Sequence, residues 1–456
     1  MDTHYLQALK TALLGVPTGP LVVMCNFEAE AHWARNHVGL PAPRLSASAG
    51  MVQRMEELGI LLAGQDDVLI LKQLPDPGYL SYLEKLGFAL PAVVVPENVQ
   101  AGRSTTEDVL DSPDLRATLA ERGRRGAHLL PMATTALEQQ LADACGLPLA
   151  IADAATSEHV NSKIFSRQLV EECGLRAVPG YCCQTCDELA AVLQRYRPAL
   201  SDGVPVVVKE AYGVSGKGLI VLDDPAKADR LLRMVERRAA RTGDRRMHVV
   251  VEEWLPRQYD LNYQVTVTRD GRISLDFIKQ ALTENGTHKG HIMPADLSPA
   301  HLAEIEHAAS TVGRRLHGEG FFGVAGIDAI VDTGGTLYPV LEINARLNMS
   351  TYQGGVTERC QPAGHVALAR HYTLSLKAPL AFEDVEMSLG PLLDLARPEH
   401  LVVTCFGTVS TNVGEEPPFT GRLYTMLTAP DSERLFALEA AVRAGLAAVA
   451  ACEEVR

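Results

Sequence analysis

The sequence predicts an α/β protein in which a mainly parallel sheet is followed by antiparallel sheets, and three observations support this fold class. Short apolar strands alternate with helical stretches through roughly the first 150 residues, as in a parallel sheet. A glycine-rich turn joins two apolar strands within 206–222, and D-T-G-G-T joins two apolar runs within 326–346. Such turns between apolar runs indicate antiparallel hairpins. The 456-residue chain has room for about three structural units.

Composition and charge exclude several classes of partner. A net charge of −14 argues against a nucleic-acid partner, because phosphate binding needs a basic face. The chain starts with no signal-peptide pattern and contains no run of eighteen apolar residues, so we expect a cytoplasmic protein without a membrane partner. Nine cysteines, an odd number, argue against a disulfide framework. Three of them form C-C-x-x-C without a second pair, so we interpret Cys182, Cys183 and Cys186 as packed residues rather than zinc ligands.

The first unit carries predicted strands at 20–26, 67–71 and 92–96. Asn26 and Glu28 follow the first strand, at the edge where open α/β sheets usually bind ligands. The same two residues suit a helix cap and a first-turn acid equally well. The sequence leaves these two interpretations open.

Lysine usage marks a second region. The chain has only ten lysines against thirty-two arginines, and three of the ten are Lys163, Lys209 and Lys217. Lys163 opens a helical stretch, Lys209 ends the strand V-V-V-K, and Lys217 lies in the turn from Gly213 to Gly218. The spacing G-x-x-G-K-G before a strand is not a Walker A loop. It is typical of a flexible flap whose backbone N–H groups close over phosphates.

Three further strands follow, at 249–251, 262–268 and 273–279. Glu252 and Glu253 directly follow the first of them, and the polar face of the second is a candidate lining for an acceptor pocket. The loop from 284 to 291 contains His288 and His291. A loop that shapes the substrate pocket and a solvated connection remain comparable interpretations, and a metal-binding histidine pair is a weak one.

The hairpin within 326–346 carries the clearest candidate site. If its turn centres on Gly335, Asp328 lies opposite Glu342 and Gly326 lies opposite Asn344. Strand alternation then places Asp328, Glu342 and Asn344 on one face and Ile327, Ala329, Leu341 and Ile343 on the other. Two carboxylates and an amide oxygen on adjacent strands form a hard-oxygen site that suits Mg²⁺. The alternative is a hairpin whose polar face is simply turned to solvent.

Beyond residue 360 the sequence predicts a helix over 362–374, a proline-containing connection and strands around 401–409 and 421–427. A long amphipathic helix is expected from Ser432. Arg422 is a candidate for reaching the active site, although a surface arginine is the default interpretation.

Six motifs in the order N-S-K-x-x-x-R, V-V-V-K-E, Y-G-V-S-G-K-G, V-V-V-E-E-W-L, G-I-D-A-I and E-I-N-A-R span residues 155 to 360 and resemble those of the ATP-grasp superfamily. The first unit resembles the pre-ATP-grasp domain, and the combination resembles the pheganomycin-type peptide ligases of actinobacteria. The resemblance implies a pre-ATP-grasp domain at 1–152 and an ATP-grasp core at 153–375. Within the core it implies a flap lobe at about 163–250 and a metal-site lobe at about 251–375, both built on antiparallel sheets. A small C-terminal domain is implied at 376–456.

The resemblance also implies roles for individual residues. Lys163 and Lys209 match the lysines that contact the ATP phosphates, and the covering flap corresponds to Gly213, Ser215, Gly216, Lys217 and Gly218. The adenine-binding hinge corresponds to Glu252, Glu253 and Leu255, the ribose carboxylate to Asp260, and the magnesium ligands to Asp328, Glu342 and Asn344. Some members carry a phosphate-contacting arginine at the position of Gly326. Arg346 is the candidate to replace it and to anchor the activated carboxylate, and we expect Arg346 and Lys209 to act in catalysis.

These implied roles predict an ADP-forming carboxylate–amine ligase with ATP and Mg²⁺, or Mn²⁺ in its place, as cofactors. The small-molecule acid would be an amino acid or a related compound, coupled to an amine in natural-product (antibiotic) biosynthesis by a homodimer. The first alternative delivers the acyl group to the thiol of a carrier protein, as related enzymes of antibiotic pathways do. A non-catalytic nucleotide-binding regulator is the alternative from a different class.

Overall fold

The computed structural model describes residues 3–35, 37–40, 49–213, 218–284, 287–411 and 417–452. The predicted flap residues Ser215, Gly216 and Lys217 therefore lie outside the described residues. None of the helices in the described part of the chain combines the length and the apolar character that a membrane crossing needs.

The first unit is a four-stranded parallel sheet of order β3-β2-β1-β4, as the alternation of strands and helices predicts. Its strands are β1 Leu21–Met24, β2 Val68–Ile70, β3 Ala92–Val94 and β4 His128–Pro131. The helices that cover it are α1 His4–Leu14, α2 Ala29–Ala34, α3 Ala49–Arg54, α4 Pro77–Lys85, α5 Thr105–Leu110, α6 Pro113–Arg124 and α7 Ala136–Cys145, with a 3₁₀ helix at Met55–Leu61.

The second sheet is antiparallel, with four strands in the order β5-β8-β6-β7. They are β5 Gly180–Thr185, β6 Val206–Glu210, β7 Leu219–Leu222 and β8 Arg246–Glu253. The accompanying helices are α8 Ala154–Val160, α9 Lys163–Glu172, α10 Cys186–Ser201 and α11 Pro225–Thr242. Residues 37–40 of the first unit adjoin this sheet, because His248 N–H donates to the carbonyl of Val38 at 3.0 Å.

The third sheet has nine described strands, eight of them in the order β13-β12-β9-β10-β11-β14-β16-β15, while β17 pairs with β14. The strands are β9 Arg257–Val267, β10 Ile273–Glu284, β11 Thr287–Met293, β12 Gly323–Asp332, β13 Leu337–Asn344, β14 Val366–Leu376, β15 His400–Cys405, β16 Phe419–Ala429 and β17 Ala451–Cys452. The helices are α12 Pro299–Gly318, α13 Gly354–Cys360, α14 Phe382–Leu389 and α15 Ser432–Val449, with 3₁₀ helices at Thr351–Gln353 and Gly390–Leu393. The fold class is as predicted.

The helix predicted over 362–374 is wrong, because β14 occupies most of this stretch. Tyr372, Leu374 and Leu376 are buried and alternate with half-buried polar residues, which is the period of a strand rather than of a helix. This strand joins β11 to β16, so the last strands of the chain extend the sheet that carries the predicted metal hairpin. The domain boundaries at 152/153 and 375/376 remain predictions.

Candidate active site

The hairpin of β12 and β13 has the predicted pairing at its inner end, with Asp328 opposite Glu342 and Gly326 opposite Asn344. The pairing near the turn is shifted, however, since Ile330 lies opposite Tyr338. Residues 339–341 therefore bulge against Ala329, and the turn centres one residue before Gly335. Pro339 begins this bulge, where a residue without an N–H donor is tolerated in a strand.

Asp328 is the centre of the predicted metal face. Its Oδ1 accepts from Asn262 Nδ2 at 2.8 Å, and its Oδ2 accepts from Asn344 Nδ2 at 3.3 Å. Burial and the neighbouring Glu342 carboxylate raise the pKa of Asp328 to about 6. Two carboxylates this close disfavour each other's charge, so a cation between them would relieve the repulsion.

The donor set fits a magnesium ion that also takes oxygens from a ligand and from water. Among the described residues, no group of three or more His, Cys, Asp or Glu side chains is placed to enclose a metal. The face instead offers two carboxylates and an amide. Ile327, Ala329 and Ile343 are buried on the opposite side, as predicted, whereas Leu341 lies in the bulge and is only half-buried. The assignment of Asp328, Glu342 and Asn344 as ligands stays a prediction.

Lys163 is the first residue of α9, whose N-cap Ser162 accepts from the backbone N–H of Ile164. The Lys163 Nζ lies 2.6 Å from Glu342 Oε1 and 3.1 Å from the carbonyl oxygen of Gly213. Burial alone would lower the pKa of Lys163, but the carboxylates of Glu342 and Glu30 outweigh it and the pKa is raised. Lys163 thus connects the metal hairpin to the start of the flap while keeping its positive charge.

Lys209 and Glu252 lie on neighbouring strands and form an ion pair, with Nζ 2.5 Å from Oε2. Arg167 Nη1 lies 3.3 Å from the other oxygen, Glu252 Oε1. The Glu252 carboxylate is buried and is therefore held between two cations. The Lys209 ammonium has three N–H donors, so it can contact a phosphate with the donors that Glu252 does not use.

The rest of the predicted nucleotide hinge also has partners within the chain. The backbone N–H of Glu253 donates to Pro179 at 3.0 Å, while Leu255 is half-buried. Asp260 lies on the same strand face as Asn262, and its Oδ1 is 2.6 Å from Arg257 Nη1. The adenine and ribose roles of Glu252, Glu253, Leu255 and Asp260 stay predictions.

The flap begins and ends at described glycines, Gly213 and Gly218. Gly218 has φ +77°, and a Cβ atom there would lie 2.4 Å from Glu210 Oε2. The other oxygen of this carboxylate, Oε1, accepts from the backbone N–H of Leu40 at 2.5 Å. The end of the flap is therefore shaped around a contact with the first unit.

Arg346 lies two residues beyond the end of β13 and forms a buried ion pair with Glu30 of α2. Its Nε is 2.9 Å from Glu30 Oε1, and its Nη2 donates both to this oxygen and to Asn344 Oδ1, the latter at 2.9 Å. The carboxylate-anchoring role of Arg346 stays a prediction. The sequence interpretation missed Glu30, although it follows Glu28 by two residues.

Gly326 has a physical reason to lack a side chain. A Cβ atom there would lie 2.6 Å from Asn348 Nδ2. Asn348 Nδ2 lies 3.4 Å from Gln264 Oε1, which also accepts from Thr351 Oγ1 at 2.6 Å. The Asn348 side chain, in the segment after β13, would therefore have to shift before a side chain fits at 326.

Of the other predicted residues, those that the structure describes lie as follows. Arg422 lies on β16, with β10, β11 and β14 between it and β9. The side chain of His288 is outside the described residues, while His291 lies in β11. Asn26 is tied to the backbone of Ala133 by two hydrogen bonds, and burial raises the pKa of Glu28 to about 7.

Two family models match the chain. The pre-ATP-grasp domain matches residues 55–147, and the ATP-grasp domain matches residues 168–337. The butirosin acyl-carrier protein–L-glutamate ligase of Niallia circulans is 26% identical over 351 residues, covering 77% of this chain and 78% of that protein. The formate-dependent phosphoribosylglycinamide formyltransferase of Stutzerimonas stutzeri is 31% identical over 229 residues, or 49% of this chain. The match spans about half of that relative, 54%.

Solved structures share the fold at low identity. The N5-carboxyaminoimidazole synthetase of Staphylococcus aureus has a TM-score of 0.52 at 12% identity, covering 94% of this chain and 97% of that chain. The biotin carboxylase domain of the Hydrogenobacter thermophilus 2-oxoglutarate carboxylase has a TM-score of 0.52 at 12% identity, covering 90% and 86%. That domain is a dimer in complex with MgADP, ADP and bicarbonate.

Proposed function

Because the chain belongs to the ATP-grasp superfamily and carries a pre-ATP-grasp domain before its ligase core, we propose that it is an ADP-forming ligase that couples a small-molecule carboxylate to an amine. The single observation that supports this most is the contact of Lys163 with both Glu342 and the flap residue Gly213. It joins the hairpin of the predicted metal ligands to the start of the predicted flap, which supports a triphosphate site between them.

The site must bring two negative groups together, the γ-phosphate and the substrate carboxylate. Lys163, Lys209 and Arg346 supply positive charge, while Asp328, Glu342 and Asn344 would hold Mg²⁺ or Mn²⁺. Such an ion neutralises phosphate charge and orients the transferred group. The prediction that ATP and Mg²⁺ are the cofactors agrees with the family and with the MgADP in a related structure.

The proposed reaction has two steps. An oxygen of the substrate carboxylate attacks the γ-phosphorus, the bond to the ADP oxygen breaks, and an acyl phosphate forms. The amine nitrogen then attacks the acyl carbon, inorganic phosphate leaves, and the nitrogen loses a proton as the amide forms. Closure of the flap over this intermediate would limit its hydrolysis.

The second candidate differs only in the acceptor. A carrier-protein thiol would attack the same acyl phosphate and give a thioester. The Niallia circulans relative supports this candidate, since its name describes ligation of L-glutamate to an acyl carrier protein. A homodimer, a cytoplasmic location and a place in antibiotic biosynthesis belong to the same proposal.

An ADP-release assay separates these functions. The enzyme with ATP and Mg²⁺ is given a panel of amino acids, first alone with hydroxylamine to trap an acyl phosphate, then with free amines or with a carrier protein bearing its thiol arm. Hydroxamate formation together with amine-dependent amide supports the ligase. Thioester without amide favours the carrier-protein function. ATP binding without any acid-dependent ADP release would favour the non-catalytic regulator.

A further inference from the structure

Lys279 lies on the same face of the third sheet as the predicted metal ligands. In register, Lys279 of β10 is opposite Asn262 of β9, which is opposite Asp328 of β12, which is opposite Glu342 of β13. Residues directly opposite each other across antiparallel strands share one face. The row therefore runs from Glu342, which contacts Lys163, to Lys279 at its other end.

Lys279 is a buried lysine whose charge no carboxylate balances among the described residues. It is 1% exposed, its Nζ lies 2.9 Å from Gln353 Oε1, and it lies 4.4 Å from the centroid of the Phe277 ring. The other buried lysines of the described chain are ion-paired, Lys10 with Asp67 at 2.8 Å and Lys72 with Asp108 at 2.9 Å. Burial lowers the pKa of Lys279 to about 7.

A second side chain in the row is also incompletely satisfied. Asn262 uses its Nδ2 on Asp328, but its Oδ1 is buried and has no hydrogen-bond partner among the described residues. Buried polar atoms normally have hydrogen-bond partners. The unpartnered Oδ1 of Asn262 therefore needs an explanation, and so does the neighbouring Lys279 ammonium, which has no counter-charge among the described residues. A ligand that brings both an anionic oxygen and an N–H donor would satisfy both side chains.

We propose that Lys279 and Asn262 recognise the part of the acid substrate that is not activated, with Lys279 binding a second carboxylate and Asn262 Oδ1 accepting from an amino group. The substrate class is therefore an amino dicarboxylic acid. This inference rests on the proposed ligase function and assigns its specificity. Gln353 positions the ammonium group, which has three N–H donors and has one oxygen partner in the described structure.

The position of Lys279 favours the acid over the nucleotide. Lys163 contacts Glu342 at the far end of the row, and Lys209 lies on the second sheet. Adjacent strands are about 4.8 Å apart, so the backbones of Lys279 and Asp328 are about 10 Å apart. If the γ-phosphate lies at Asp328 and Glu342, as the proposed function has it, this spacing leaves room between it and Lys279 for the acid that receives the phosphoryl group.

The test compares acids that differ in one group. L-glutamate and L-aspartate carry two carboxylates and an amino group, whereas L-glutamine, L-alanine and 4-aminobutyrate carry a single carboxylate. Equilibrium binding of each acid is measured by calorimetry with a non-hydrolysable ATP analogue and Mg²⁺ present, and ADP release is measured with ATP. The proteins are the wild type, Lys279→Met, Gln353→Glu and the control Lys85→Met, which removes an exposed lysine.

We expect the wild type to bind dicarboxylic amino acids most tightly. Lys279→Met should weaken their binding about tenfold or more, leave binding of the monocarboxylic acids unchanged, and leave the KM for ATP unchanged. Gln353→Glu should weaken the same acids, because its carboxylate competes for Lys279 without removing the cation. Replacement of a buried, unbalanced ammonium by methionine should not lower the melting temperature.

Three results would overturn the inference: a wild-type preference for monocarboxylic acids, equal binding by Lys279→Met, or a rise in the KM for ATP in place of the effect on the acid. A rise in the KM for ATP would indicate that Lys279 contacts the phosphates of the nucleotide and not the acid. Binding of dicarboxylic acids that depends on Lys279 but never stimulates ADP release would support the recognition site and reject the proposed ligase function. The two failures are therefore distinguishable.

Discussion

The Arg346 guanidinium and the Glu30 carboxylate join the end of the metal hairpin to the helix that follows the first strand of the chain. Both side chains are nearly buried, with 13% and 8% of their surfaces exposed. Because 316 residues separate them, this contact ties the first unit of the chain directly to the hairpin that carries the predicted metal ligands. If Arg346 anchors a substrate carboxylate as predicted, that carboxylate has to share the guanidinium with Glu30 or displace it.

This relationship gives a prediction that separates an anchoring role from a structural one. Removing one charge of a buried ion pair costs about 3–5 kcal/mol, so Glu30→Gln should clearly lower the free energy of unfolding, whereas Arg346→Lys keeps a cation beside Glu30 and should lower it less. If Arg346 binds the reacting carboxylate, Arg346→Lys should also lose acid-dependent ADP release, because lysine lacks the bidentate geometry. Glu30→Gln should retain it.

Urea unfolding and acid titrations of ADP release measure the two effects, with ATP binding as the check on the nucleotide site. If both variants kept acid-dependent ADP release, Arg346 would serve only to hold the first unit against the hairpin.

The metal face gives a second prediction. Glu342→Gln or Asn344→Ala should abolish ADP formation while the fold survives, because the first removes the negative charge and the second the amide oxygen predicted to hold the metal beside Asp328. Glu306→Gln, an exposed carboxylate on α12, is the control that changes charge away from the site. Circular dichroism and ADP release are measured on all three. Turnover near the wild-type level in either folded site variant would reject the ligand assignment.

The flap gives a third prediction, now centred on its described end. Gly218→Val should impair turnover far more than stability, because positive φ and the approach to Glu210 both demand glycine. Gly364→Val is a matched control, with φ +82° and no atom within 4 Å of the added Cβ. Each should cost about 1–2 kcal/mol of stability through the left-handed backbone conformation.

Only Gly218→Val should lose activity in steady-state assays. Melting temperatures of the two variants test whether their stabilities fall by similar amounts. If Gly218→Val and Gly364→Val lost activity to the same extent, Gly218 would have no special role in turnover, and the predicted flap would be an ordinary hairpin turn. The corresponding change at Gly216 is expected to act in the same way.

Lys279 gives a prediction about pH. Burial lowers the pKa of Lys279 from its ordinary value of 10.5 to about 7, so the unfolded chain binds more protons than the folded chain between these two pH values. The free energy of unfolding should therefore gain up to about 1.4 kcal/mol per pH unit from this group as the pH rises above 7. Below pH 7 the group is protonated in both states and contributes no slope.

Lys279→Met should remove this component of the slope, as seen by urea unfolding at pH 7 and pH 9 in both proteins. Lys85→Met should leave it in place. An identical pH slope in wild type and Lys279→Met would show that the folded-state pKa is not lowered.

Strand periodicity in the sequence is sufficient to predict that the three candidate metal ligands share one face of the hairpin. It is not sufficient to predict which residues of other segments lie next to them. Strand alternation correctly placed Asp328, Glu342 and Asn344 together, even though the turn was misplaced by one residue, because the bulge at 339–341 offsets the shift. Lys279 was only assigned to a strand. The register shift between Leu275 and Phe277 changes which face it shares, and no local signal reveals such a shift.

Glu30 and Asn348 reach the site through contacts between distant segments, which sequence periodicity does not encode. The helix predicted over 362–374 was wrong for a related reason. The run of apolar residues before Arg370 hides the alternation of buried and polar residues that follows it. Pairing with β11 and β16 makes this segment a strand, and the local sequence does not show that pairing.

The contact between Gly326 and Asn348 makes the effect of a substitution at one position depend on the residue at the other. A Cβ atom added at residue 326 would lie 2.6 Å from the Asn348 amide nitrogen, so the Asn348 side chain has to turn aside before an arginine fits. That movement gives up its 3.4 Å contact with Gln264. We therefore expect substitutions at 326 and 348 to be non-additive, so that the charge an arginine brings to the site is gained at a cost set by its neighbour.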